Sequence, residues 1–160
     1  MHPQARGVSF QIPNEYGHWL ARILNLVNYR EYDWLIGGGE SYRWLESEQE
    51  LEELFPGKLR CVCGEALARI LEAPEPQYII HADLKAFPPG KPAIECETYD
   101  EFVSGDCLFI LIIVDSTYAA IYCKDRKLLT DLHDHLIGLG AEKVQVITEE
   151  NDFRTRLIAW

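Results

Sequence analysis

No apolar stretch in this sequence reaches the roughly twenty residues that a membrane-spanning helix requires. The longest, Cys107 to Val114, has the length of a strand. No N-terminal stretch joins a basic start, an apolar run and a small-residue cleavage site, so a secretory leader is not expected. Basic residues are scarce. Fifteen Lys and Arg stand against 26 Asp and Glu, and the net charge of -11 repels a phosphate backbone, which excludes general nucleic-acid binding. Repeats, low-complexity tracts and long linkers are absent, and the proline-rich breaks at 74–76 and 88–92 are loop-sized. Five cysteines are an odd number on a chain too large to need stapling; they read as reduced thiols of a cytosolic protein.

What is present is apolar and aromatic. Of 160 residues 48% are hydrophobic, including four Trp, eight Tyr and six Phe, enough to bury about two-thirds of the unfolded surface and to rule out a disordered chain. The expectation is one globular domain spanning 1–160.

Gly7 to Ile12 alternates and is ended by Pro13, a first strand. From a cap at Asn14, Tyr16, Trp19, Leu20, Ile23, Leu24 and Val27 recur at three and four, predicting a helix with Gly17 in its interior. Trp34–Ile36 is a short strand. The acidic run from Glu46 to Phe55, with Leu51, Leu54 and Phe55, suits an exposed helix stopped by Pro56-Gly57. A helix is expected over Cys63–Glu72, and a strand over Tyr78–Phe87. Cys107–Val114 and Tyr118–Cys123 flank a turn at Asp115-Ser116-Thr117 and read as a central hairpin of buried strands. A helix capped by Asp125 follows, with Leu128, Leu129, Leu132, Leu136 and Leu139 on one face and Gly140 at its end. Lys143–Thr148 is a further strand, and Phe153–Trp160 either a last strand or a packed tail. The sum is an α+β fold: a mainly antiparallel or mixed sheet with a central hairpin and three to four packed helices.

Candidate chemistry is thin. Gly37-Gly38-Gly39-Glu40-Ser41 lacks the lysine and spacing of a phosphate cradle and places a carboxylate where an anion would sit. It reads as a hairpin turn between Trp34–Ile36 and Ser41–Leu45, or as a bare pocket floor that lets Glu40 face a cationic or hydroxylated ligand. His133 and His135 point roughly 200° apart around a helix and cannot share one ion. Cys61 and Cys63 share a strand face without a second ligand pair. No metal or cofactor is therefore expected. His81, Asp83 and Lys85 alternate along a strand, so they project to one face; they are the foremost catalytic candidates, and a wet antiparallel face gives the same pattern. Arg154 and Arg156 share a face if the tail is extended, where they clamp a carboxylate or pair with the protein's own acids.

The stretches GVSFQIPNEYG (Gly7–Gly17), WLIGGGESY (Trp34–Tyr42), ADLKAFP (Ala82–Pro88), VDSTYAAIYCKD (Val114–Asp125) and ENDFRTRL (Glu150–Leu157) together span nearly the whole chain. In this order they resemble a family of small bacillar proteins catalogued only as a domain of unknown function. The resemblance implies a bacterial cytosolic single domain and carries over no catalytic residue.

No constellation specifies a reaction. The first functional expectation is a non-enzymatic acidic interaction module that takes a basic protein partner through Glu46–Glu53 and nearby aromatics. The second is a small-molecule binder or hydrolase-like enzyme whose pocket joins Glu40 and the glycines to His81, Asp83 and Lys85. A structural role in a homo-oligomer is the third.

Overall fold

A computed structural model describes residues 4–55 and 61–159. The strands are β1 (Ala5–Gln11), β2 (Asp33–Ile36), β3 (Glu40–Leu45), β4 (Glu50–Glu53), β5 (Cys61–Cys63), β6 (Gln77–Phe87), β7 (Phe109–Val114), β8 (Tyr118–Cys123) and β9 (Glu142–Thr148). The helices are α1 (Trp19–Leu24), α2 (Gly64–Leu71), α3 (Tyr99–Ser104) and α4 (Arg126–Gly138). The order across the sheet is β4-β3-β6-β7-β8-β1-β9, with β2 beside β6 and β5 beside β2. Every pairing between these strands is antiparallel. The α+β class and the central β7–β8 hairpin are as the sequence predicts.

The hairpin is apolar throughout because both sheet faces are covered. Phe109, Leu111 and Ile113 enter a core shared with Leu20, Ile23 and Leu24 of α1, Leu67 and Leu71 of α2, and Leu129, Leu132 and Leu136 of α4. Ile110 and Ile112 point the other way, into a smaller core with Phe87, Phe102 of α3, Leu157 and Ala159. Each such side chain contributes about 1.5–3 kcal/mol when fully buried. The hairpin turns through Asp115 and Ser116, at φ 53° and 64°, which suits the twist of the strands. Asp125 caps α4, its Oδ1 accepting from the Leu128 amide at 3.0 Å. The tail from Phe153 packs and does not extend: Leu157, Ile158 and Ala159 are buried, and the Leu157 amide donates to the Glu97 carbonyl at 2.7 Å.

Three predictions need correction. The helix expected from Asn14 begins only at Trp19, because Gly17 exchanges both backbone hydrogen bonds with Gln77 and cannot be helical as well. Asn14 instead accepts from the Tyr78 hydroxyl, and Tyr16 stacks on Tyr78 at 5.2 Å, half exposed. The acidic run is not a helix but the second arm of a hairpin, with Arg43 opposite Glu52 and Trp44 opposite Leu51. Glutamates at 46, 48, 50, 52 and 53 would face one another three and four apart on a helix. As a strand the run gains a partner, and Arg43 donates to Glu52 at 2.8 Å. The Pro56-Gly57 stop lies outside the described residues. The third correction concerns the glycines, which are not a hairpin turn: β2 and β3 do not pair with each other but follow one another along β6, facing Phe87–Leu84 and then His81–Gln77. Gly37–Gly39 interrupts what is in effect one strand.

No helix among the described residues is long and apolar enough to cross a membrane.

Candidate functional site

The interruption exists to accommodate Asp83. A Cβ built on Gly37 would lie 2.7 Å from the Asp83 carboxyl carbon, and one on Gly39 2.6 Å from the His81 carbonyl oxygen. Such separations are not tolerated, so glycine is required at both positions for steric reasons and not for a turn. Backbone pairing continues past the vacancy, the Gly37 amide donating to the Asp83 carbonyl at 2.8 Å.

Alternation along β6 sends Leu84 and Ala86 to the larger core and His81, Asp83 and Lys85 to the opposite face, as predicted. That face is not wet at Asp83 and Lys85. Both are buried, Lys85 completely. The segment 93–97 and the tail lie over them, and the Lys85 ammonium reaches Asp83 Oδ1 at 2.8 Å and Glu95 Oε1 at 2.7 Å. Asp83 also accepts from the Ala159 backbone. Two carboxylates thus surround one ammonium. Burial opposes the charge on Lys85, but Asp83 and Glu95 outweigh it and raise its pKa. Burial pushes Asp83 up, with Lys85 opposing and Glu95 adding to the rise.

Above this triad lies a cleft of about 370 Å³ lined by Leu35, Gly37, Gly38, Asp83, Ala93, Glu95, Glu97, Arg156 and Ile158. Arg156 donates to Glu97 Oε2 across its wall at 3.0 Å. The structure thus gathers Gly37, Gly38, Asp83, Lys85 and Arg156. It does not bring Arg154 to them: because the tail bends, Arg154 turns back on the Ile158 carbonyl at 3.0 Å and lines a separate groove with Phe153. Glu40 and His81 face each other across β3 and β6 but do not line the cleft. His81 sits against the hairpin turn, its Nδ1 accepting from the Asp115 amide at 3.4 Å and its Nε2 4.0 Å from the Asp115 carboxylate. Tyr42 donates to Glu40 at 3.5 Å.

Glu95 and Glu97 were not singled out from sequence. A lysine inside Leu84-Lys85-Ala86-Phe87 signals a buried ammonium that needs partners, although Asp83 already balances its charge and nothing local points to residue 95. Remaining candidates stay apart: Cys61 and Cys63 are exposed on β5, His135 contacts the Arg22 carbonyl at 2.7 Å, and His133 sits beside Asp134. Among the described residues no group of three or more His, Cys, Asp or Glu is placed to hold a metal ion.

Residues 5–158 match the model of a family described as "Protein of unknown function (DUF2691)". The chain is 44% identical over 152 residues to "Uncharacterized protein YncE" of Bacillus subtilis (strain 168), covering 95% of this chain and 97% of that protein. No solved structure matches. The chain belongs to this family of unknown function.

Proposed function

We propose that this family member binds a small cationic or hydroxylated molecule in the cleft above Asp83. The observation that carries the reading is the buried Asp83–Lys85–Glu95 triad beneath a floor that glycine leaves bare. A buried ammonium held by two carboxylates is an expensive way to stabilise a core, since apolar residues of the same volume do as well or better. The volume falls at the lower end of ligand-pocket sizes. Asp83, Glu95 and Glu97 outnumber Lys85 and Arg156, so the lining carries one more negative than positive charge and offers acceptors in excess. Positive or hydroxyl-bearing ligands suit it, and phosphate or carboxylate ligands do not.

A thermal-shift comparison of spermidine, choline, lysine, arginine and inositol against phosphate and citrate tests this. A ligand present at a hundred times its dissociation constant adds about 2.7 kcal/mol, a rise of roughly 5–11 °C for a chain of this size. The expected result is a rise with a member of the first set only, lost in Glu95→Gln and in Asp83→Asn. Rises that survive both substitutions, or appear only with the anions, overturn the reading.

The acidic interaction module remains as a second reading, favoured by one feature. β4 ends the sheet order, all four of its residues are exposed, and no strand among the described residues covers its outer side. A basic extended partner would add to that edge. Charged side chains on an edge strand also serve simply to prevent pairing, and Arg43 already engages Glu52. Capture of a basic partner at low salt and its release at high salt would decide for the module.

A further inference from the structure

Cys96 and Cys107 lie on either side of α3 in sequence and come together in space. Both are buried in the smaller core and close enough for each thiol to shift the other's protonation, while the Cys107 thiol donates to the Phe109 carbonyl at 3.5 Å. They share the wall of a second cavity, about 240 Å³, whose rim includes the exposed Ile94. Glu95 lines both this cavity and the cleft above Asp83. No other cysteines are so placed: Cys61 and Cys63 are exposed on a distant strand, and Cys123 lies against the Asp125 carbonyl at 3.4 Å.

Two neighbouring thiols on the wall of one open cavity are the arrangement that thiol–disulfide exchange requires. We infer that Cys96 and Cys107 form a redox-active pair, Cys96 attacking and Cys107 resolving, which a low-molecular-weight disulfide converts reversibly into an intramolecular disulfide. The roles follow from the surroundings. Once Cys96 ionises, a hydrogen bond from Cys107 stabilises its thiolate and outweighs the opposing effect of burial, with Lys85 assisting. Cys107, which donates that bond, is held protonated.

The Cys96 thiolate attacks one sulfur of the small disulfide RSSR, forming a Cys96–SR bond and releasing RS⁻. Cys107 then loses its proton, and its thiolate attacks the Cys96 sulfur and expels the second RS⁻. With the released thiolates protonated, two protein thiols and RSSR have become one protein disulfide and two RSH. The product tethers the segment carrying Glu95 and Glu97 to the start of β7. The pair stands on its own geometry and does not depend on a ligand in the cleft.

The test uses full-length protein with Cys61→Ser and Cys63→Ser, which removes the exposed thiols and leaves three. The protein is incubated with glutathione disulfide, quenched in acid, denatured and alkylated, and its mass is read. The expected result is a fall from three alkylated thiols to one, Cys123, with Cys96 and Cys107 cross-linked in the peptide map and restored by dithiothreitol. Cys107→Ser on this background should stall with one glutathione on Cys96, while Cys96→Ser should take up none. Circular dichroism establishes that each variant is folded. Three alkylated thiols after incubation, while Cys61 and Cys63 of the parent protein are oxidised, would overturn the inference. So would a cross-link to Cys123, or equal glutathione uptake by both single variants.

Discussion

Replacing Lys85 with Met tests the triad directly. Its ammonium lies 2.8 Å from Asp83 and 2.7 Å from Glu95, and at an effective dielectric of about 20 each contact carries about 6 kcal/mol of direct attraction. Desolvation offsets most of this, at several kcal/mol for each buried ion. The net worth of the intact triad is therefore small, but removal of one partner is not. Met fills the volume of the lysine stem and leaves Asp83, only 3% exposed, as an uncompensated charge. Breaking a buried pair in this way costs about 3–5 kcal/mol. At about 2–4 °C for each kcal/mol in a chain of this size, the melting temperature should fall by roughly 6–20 °C.

The pH dependence identifies the cause. Burial raises the Asp83 pKa, and in Lys85→Met no ammonium opposes it. A carboxyl whose folded pKa exceeds the unfolded value of about 3.9 binds more protons folded than unfolded, so stability rises as pH falls through the folded pKa. Urea unfolding followed by tryptophan fluorescence at pH 8 and pH 5 should show the deficit shrinking in acid. At pH 8 Lys85→Met with Asp83→Asn should be more stable than Lys85→Met alone. A deficit below about 1 kcal/mol that is the same at both pH values would refute the buried-charge argument.

Two further outcomes follow from other parts of the fold. Gly39→Ala should cost about 1–3 kcal/mol or more by urea unfolding, because its methyl would meet the backbone carbonyl of His81; Gly138→Ala, at a helix position with nothing within 4 Å, should stabilise by about 0.4–1 kcal/mol. Burial pushes the Cys123 thiol up to about 11. A raised pKa means that the folded state retains a proton the unfolded chain loses, so this contribution, about 2–3 kcal/mol, is present below about pH 9 and lost as pH rises through about 11. Stability measured between pH 8 and 11 should fall less steeply in Cys123→Ala than in the parent protein.

Long, strongly patterned segments were legible from sequence because their burial comes from their own periodicity. The β7–β8 hairpin and α4 are of this kind, with boundaries within two residues of the prediction. Segments whose structure is decided by a distant partner were not. The acidic run carries helix-like spacing at Leu51, Leu54 and Phe55, and its pairing with Tyr42, Arg43, Trp44 and Leu45 on the neighbouring strand makes it β. Gly17 is extended because of Gln77, sixty residues away. The glycine triplet was legible as a place needing bare backbone, but what occupies the space is Asp83, and no local rule links 37 to 83. The row His81, Asp83 and Lys85 was correctly placed on one face; its division into a buried pair and a histidine at the hairpin turn depends on what the tail and the segment 93–97 cover.

That division bears on function. In a purely structural buried ion pair, the desolvation cost is offset only where both partners are enclosed and their remaining hydrogen bonds are satisfied, so a half-exposed third member is not needed for that purpose. Here the third member, Glu95, keeps about 39% of its side chain exposed on the wall of the cleft while its carboxylate grips Lys85. It is the member a ligand cation can draw away with least rearrangement, and Asp83, fixed by Lys85 and the Ala159 backbone, is the member that would stay. A ligand ammonium in the cleft would compete with Lys85 for Glu95, so bound and free states differ in one short movement of one exposed side chain. Glu95→Gln should accordingly abolish the ligand-induced rise in melting temperature while costing less stability than Lys85→Met. If Glu95→Gln destabilises as much as the loss of the ammonium, Glu95 is part of the core and the cleft is only its outer surface.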